Sequence, residues 1–571
     1  MRPGEWSGGR FGRRPSREFG GRERPPLHRR RRLIVLIHAI EIAIFAALCY
    51  GTGRALTARL PGVGGAVALG VGLCAFAQVL FVVAALGMLT RIAVFVLLAV
   101  MALLWTAAAA PPLSKAVWKS GGVAAAVQIL PFLRALYPPS AYDETMYHLP
   151  YARLFANAGA LVYADNLRFP VFPQLNEVVF SAALLVSDDL TAQLTQWLCF
   201  VAIAFAIASL VDGPRALFGM AIWFAVPRVN EAASVAHVEC GLTLAVTLAF
   251  VAWMRWRETE HRGWLFLVGA FAGMAAATKY HGLFFVAFFG IALLALRKFR
   301  AIALYVLGVL VVAAPWYIRI TALTGNPVFP YFGANDWGLD LSSSLQTADY
   351  FHPPELREWI YRNFFINVRP WILALAPFAA IGAYVDKRLR ILFIGALSYI
   401  LVCWRLDSRF LLIVIPLLAV CVASAIPQRV KKTAIVIASI VLLLPVMRWN
   451  VRELQREGPL VRTSAQRDAY LARKSWPYAA LRAIDPQHSV YVLDGENAAY
   501  YARGRFVGNW FGRYRYPLVL PYLQKPDLLA VLLRSFGAQY FVVKPDAGFT
   551  PSRAFELVRA DQRSLTYRLR E

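Results

Sequence analysis

Charge is scarce in this 571-residue chain: Asp, Glu, Lys and Arg together make up 16%, against about 25% in soluble domains. Acids are the scarcer kind, 33 against 60 basic residues. A chain this poor in charge is neither disordered throughout nor a coiled coil, and it lacks the glycine period of collagen. Cysteine is sparse too. The six present (Cys49, Cys74, Cys199, Cys240, Cys403, Cys421) lie in or beside apolar runs with no CxxC spacing, which excludes a disulfide framework and a structural zinc site. No internal repeat is visible.

What the chain has instead is apolar length. Residues of the AVILMFWYC set form 59% of it and the mean hydropathy is +0.52, so the chain reads as a polytopic membrane protein. A formal charge of +27 would suggest nucleic acid in a soluble protein. Here much of it sits in short loops, where membrane proteins place positive charge, and no nucleic-acid partner is expected.

Residues 1–32 are rich in Arg, Gly and Pro and end in Arg29-Arg30-Arg31-Arg32, which predicts a disordered, basic cytoplasmic tail. The following run resembles the first two regions of a signal peptide, but no small-residue cleavage site follows, so an uncleaved first helix is expected. Stretches long enough to span recur near 33–53, 62–86 and 91–110, then near 190–211, 216–232, 239–255, 263–280, 282–296, 301–318, 368–385, 390–404, 410–426 and 432–448. Four alternate loops carry Arg255/Arg257/Arg262, Arg297/Lys298/Arg300, Lys387/Arg388/Arg390 and Arg429/Lys431/Lys432, and the positive-inside rule places them in the cytoplasm. The loops 138–189, 227–238 and 319–367 and everything after 449 then face outward. Residues 121–137, broken by Pro131 and Arg134, read as an interfacial or partly embedded helix rather than a crossing. From 449 to 571 the chain is soluble in character, with strands at Ser489–Leu493, Tyr540–Val543 and Leu565–Leu569 and a helix at Asp527–Phe536. The expected fold is therefore an all-α membrane domain over 33–448, with about 13 transmembrane helices, followed by a small extracytoplasmic α/β domain.

Candidate chemistry gathers on the outward side. Tyr142-Asp143-Glu144-Thr145-Met146-Tyr147-His148-Leu149-Pro150 brings adjacent carboxylates, a Tyr and a His into the first large outward loop. Either the acids are reactive groups held over a scaffold, or they begin a helix running from about Tyr147 to Ala158. Lys279 ends a span in Thr278-Lys279-Tyr280-His281-Gly282. Pro315-Trp316-Tyr317-Ile318-Arg319 leads to Thr324-Gly325-Asn326-Pro327, and Arg405–Phe410 opens a late span.

These four stretches, in this order and on one side, resemble the GT-C glycosyltransferases, in the branch of the protein mannosyltransferases and lipid A aminoarabinose transferases. The resemblance covers about 33 to 450. It implies an enzyme that moves a sugar from a polyprenyl-phosphate donor to an extracytoplasmic acceptor with inversion, at the lipid bilayer. It carries the catalytic carboxylates onto Asp143, the base, and Glu144, an orienting or metal-binding partner. It gives substrate contacts to Tyr147, His148, Lys279, Tyr280, Arg319 and Arg409. Phosphate leaves as a stable anion, so one base and a set of cations are enough for such a reaction. Where relatives carry an Asp, this chain has Glu239. No cofactor is fixed; Glu239 with His237 or His148 as a divalent-cation site is one reading, an ordinarily solvated carboxylate the other.

His38 and Glu41, one turn apart in the first span, are expected to pair with each other or a neighbour, although ionisable groups there are often functional. Trp316, Trp371, Trp404 and Trp449 fit an interfacial belt; Trp337 or Tyr350 could stack on carbohydrate. The C-terminal domain is expected to position the acceptor. A transporter or lipid flippase is the alternative function, but its charges would lie near the bilayer midplane. The lack of an Asn-x-Ser/Thr acceptor favours a bacterial inner membrane, with the C-terminus periplasmic.

Overall fold

The computed structural model describes residues 34–107, 127–167, 170–331, 356, 358, 362–508 and 515–570. The expected tail at 1–32, Trp337 and Tyr350 lie outside these residues.

Each apolar run folds as helix, since backbone polar groups in a bilayer must pair within their own segment. In chain order these are α1 (Ile34–Leu56), α2 (Gly65–Ala85) and α3 (Arg91–Ala107), a helical stretch at 127–134, α4 (Leu149–Ala158), α5 (Leu175–Val186), α6 (Asp189–Ala208), α7 (Pro214–Ala225) and α8 (Pro227–Ala232). After them come α9 (Glu239–Thr259), α10 (Arg262–Thr278), α11 (Gly282–Ala295), α12 (Phe299–Thr324), α13 (Val368–Val385), α14 (Arg390–Cys403), α15 (Ile415–Ala425) and α16 (Lys432–Glu457). The expected span 216–232 is broken at Val226, which is extended before Pro227, because a proline disfavours helical backbone in the residue before it. Among the described residues, 7 helices are long and apolar enough to cross a membrane; the expected count of about 13 is not reached on that measure. Ile44, Leu310, Ile381 and Ile437 are exposed on these helices, as lipid-facing side chains would be.

Small residues let helices touch. A Cβ on Gly53 would lie 1.7 Å from the Ala68 carbonyl oxygen, and one on Gly72 would lie 1.9 Å from that of Cys49, so α1 and α2 run antiparallel with backbones in contact.

The side on which α1 begins differs from expectation. His38 and Glu41, near its start, meet Thr191 and Ser187 at the start of α6. The far end reaches the basic loops, where Leu60 lies beside Gly263. α3 also starts near the acidic loop, for Leu89 donates to the Gly159 carbonyl, while Trp105 packs on Gly51 at the other end. The Gln128 carbonyl accepts from Trp197, and the chain rises from there until Gln193 bonds the carbonyls of Ala135 and Tyr137. Residues 127–137, expected within an interfacial or partly embedded helix, therefore climb among the helices toward the acidic loop. Four apolar segments precede that loop, and α1 begins on the loop's own face rather than the opposite one.

Beyond α16, which runs on to Glu457, come α17 (Ser464–Lys474), α18 (Tyr478–Ala483), α19 (Arg515–Val519) and α20 (Pro526–Ser535), with β1 (Val490–Val492), β2 (Phe506–Val507), β3 (Tyr540–Val543), β4 (Phe555–Ala560) and β5 (Leu565–Leu569). The sheet order is β2-β1-β3-β5-β4, parallel across β2, β1 and β3 and antiparallel beyond. β2 and β4 were not foreseen in the sequence; β2 is two residues long, and four of the six β4 residues are exposed.

Candidate active site

The acidic loop enters the site through a π-turn, Glu144–His148, ahead of α4; such turns recur at functional sites. Asp143 precedes the turn without capping it, so it does not act as a helix cap. Its Oδ2 lies 2.6 Å from Arg409 Nη1 and accepts from the Tyr147 hydroxyl at 3.3 Å. Asp407 accepts from the Arg409 backbone N–H at 2.9 Å and lies 3.7 Å from Arg409 Nε.

Glu144 points elsewhere. Its Oε2 accepts from the backbone N–H groups of Ser140 and Ala141, and its Oε1 from that of Ala236 at 2.6 Å. Burial pushes its carboxyl up to about 7, against the pull of those three donors. Glu144 thus ties the acidic loop to the loop before α9.

α10 ends at Lys279, whose backbone is extended. The ammonium lies 3.2 Å from Glu239 Oε1 at the start of α9 and 4.5 Å above the Phe410 ring. Arg409 sits 5.0 Å from the centre of the same ring, and the His281 ring 4.5 Å from it. The cations of two acid–cation pairs, Asp143–Arg409 and Glu239–Lys279, therefore both pack on the Phe410 ring. His237 Nδ1 is 3.8 Å from Glu239 Oε2; burial holds His237 down at about 4, and burial with the neighbouring Lys279 holds His281 at about 3. Both rings are neutral near pH 7.

His148 Nδ1 is 2.6 Å from Glu177 Oε1, both buried, and its ring centre is 5.9 Å from that of His237. Glu177 was not singled out in the sequence, where a lone acid in α5 gives no signal of its partner. As a metal site the set does not fit: Glu239 is paired with a lysine, and among the described residues no three His, Cys, Asp or Glu side chains converge as ligands.

Two expected contacts lie apart from these pairs. Arg319 donates to Gln174 Oε1 at 3.2 Å and to the Val162 carbonyl at 2.8 Å, and the Tyr280 hydroxyl donates to the Phe329 carbonyl at 2.7 Å. Trp316 is fully buried against Phe81 rather than in an interfacial belt.

Comparison with known proteins bears on both parts of the chain. A family described as SF2091/S2213 matches residues 466–567. Uncharacterized protein SF2093/S2215 of Shigella flexneri is 38% identical over 76 residues, 13% of this chain. The chain spans 38% of the length of that curated relative. Among solved structures, ArnT from Cupriavidus metallidurans in the apo state has a TM-score of 0.53 at 15% identity, covering 79% of this chain and 98% of ArnT. ArnT bound to undecaprenyl phosphate gives 0.50 at 16%, covering 80% and 98%. At this identity the likeness establishes a shared fold.

Proposed function

We propose that this chain, which has the GT-C fold, is a membrane glycosyltransferase that takes a sugar from a polyprenyl-phosphate carrier and gives it to an acceptor on the face of the acidic loop. The observation that carries this reading is the pairing of Asp143 with Arg409 and of Glu239 with Lys279 around Phe410. A phosphate diester brought between Lys279 and Arg409 competes with both carboxylates. Asp143, relieved of part of its arginine, then becomes the stronger base. The acceptor hydroxyl attacks the anomeric carbon and loses its proton to Asp143, while the bond from that carbon to the phosphate oxygen breaks and its electrons leave with the phosphate. One displacement inverts the centre. The cations meet the charge that grows on the leaving oxygen. Arg319 holds the loop through Gln174 and Val162, Tyr147 orients Asp143, and His148 with Glu177 lines the same wall.

The expected spans, with residues 127–137 as a further crossing, accommodate this arrangement, the basic loops lying on the cytoplasmic side of a bacterial inner membrane. The acidic loop and the C-terminal domain then face the periplasm.

The test is transfer by the purified chain in nanodiscs, with a radiolabelled polyprenyl-phosphate sugar. Asp143→Asn should lose a factor of roughly 100 to 10,000 in rate while still binding the carrier. Full activity in that variant removes the base. Movement of intact donor across sealed vesicles, with no sugar released or transferred by the wild type, would identify a flippase.

A further inference from the structure

The loop that carries Asp143 is gripped by the C-terminal domain. The Tyr501 hydroxyl donates to the Pro139 carbonyl, four residues before Asp143. Two residues after it, Thr145 Oγ1 donates to the Asn497 carbonyl at 2.5 Å. Arg153, in α4, donates to the carbonyls of Tyr500 and, at 3.3 Å, Ala499, and its guanidinium lies 5.2 Å over the Tyr500 ring. The Tyr500 hydroxyl donates in turn to Asp189 at 3.2 Å, which also holds Arg467. The residues that hold the loop and α4, Asn497, Ala499, Tyr500 and Tyr501, all lie in a single 3-10 turn, Glu496–Tyr501. Thr145 and Tyr501 are both buried.

We infer that this turn of the C-terminal domain is the positioning element for Asp143, fixing the acidic loop on both sides of the base. The domain then acts on turnover through the carboxylate, beyond any hold on the acceptor. The grip is specific in kind: carbonyls of the turn receive the loop's Thr and Arg donors, and one tyrosine of the turn returns a donor to the loop. A displacement near 1 Å at a reacting group can cost about a hundredfold in rate, and Glu144, which ties the loop to Ala236, does not reach the turn's contacts at Pro139 and Thr145.

The inference rests on Asp143 being the base, and its test separates the two. In the full chain in nanodiscs, kcat and KM for the carrier-linked donor would be measured for Tyr501→Phe, Arg153→Ala and Arg153→Lys. Tyr501→Phe removes one hydroxyl and is the variant to rely on if Arg153→Ala does not fold. Each of Tyr501→Phe and Arg153→Ala should lower kcat on the order of tenfold with KM within about twofold, and Arg153→Lys should recover part of the loss. Adding Tyr501→Phe to Asp143→Asn should cost little more, because both act through one carboxylate. An unchanged kcat, a loss confined to KM, or a full further tenfold loss in the double variant overturns the inference while leaving the base in place. Full activity in Asp143→Asn overturns both.

Discussion

Glu144 and Asp143 are neighbours in sequence with opposite duties, and the difference lies in what surrounds each oxygen. Every acceptor position that Glu144 uses faces a backbone N–H. Glu144→Gln would turn an amide N–H₂ toward at least one of those donors, so it should destabilise by about 1–3 kcal/mol, read as a lower melting temperature in detergent. Asp143→Asn, facing Arg409 and Tyr147, should melt close to the wild type. His237 supplies a pH dependence. An unfolded histidine binds its proton near pH 6.5, whereas His237 in the folded chain stays neutral down to about 4. Between those values the unfolded state holds more protons, so this contribution is complete above 6.5 and is lost as pH falls. His237→Gln should lose less stability than the wild type between pH 6.5 and 4, and an equal loss would show that the histidine titrates normally.

Among the elements, the long helices were legible because apolar length is a direct consequence of bilayer thickness. The two helices of the acidic loop were harder. α4 was foreseen only as the alternative to a reactive motif, and α5, at 12 residues, is too short to be read as a span. The site was legible in pieces: Asp143, Lys279 and Arg409 came from motifs, but that Lys279 meets Glu239 while Asp143 meets Arg409 depends on packing between distant segments. Glycine contacts are equally silent in sequence, since nothing local distinguishes Gly72 from its neighbours. Gly72→Leu should push α1 from α2 and cost on the order of 1–3 kcal/mol, whereas Gly62→Ala, with nothing within 4 Å but a φ of +71°, should cost only its backbone strain. Thermal melts of the two variants in detergent, compared with the wild type, check both values.

At the scale of the whole molecule, the start of α1 and the C-terminal domain share one face. Cysteines at Ile34 and Thr550 should react with an impermeant thiol reagent from the same side of sealed vesicles, and one at Gly62 from the other. Reaction of Ile34→Cys together with Gly62→Cys would contradict the packing of His38 and Glu41 against α6. The grip of the Glu496–Tyr501 turn on the acidic loop also sets an order in time. Thr145 and Asn497 are 352 residues apart, and at about 5–20 residues per second a ribosome needs roughly 20 to 70 s to travel between them. The helices from Leu175 to Glu457 are made within that interval, so the acidic loop receives this grip only after the whole membrane part has been synthesised. If Asp143 is the base proposed above, completion of the C-terminal domain works as a safety catch, and a half-made chain does not spend the donors around it.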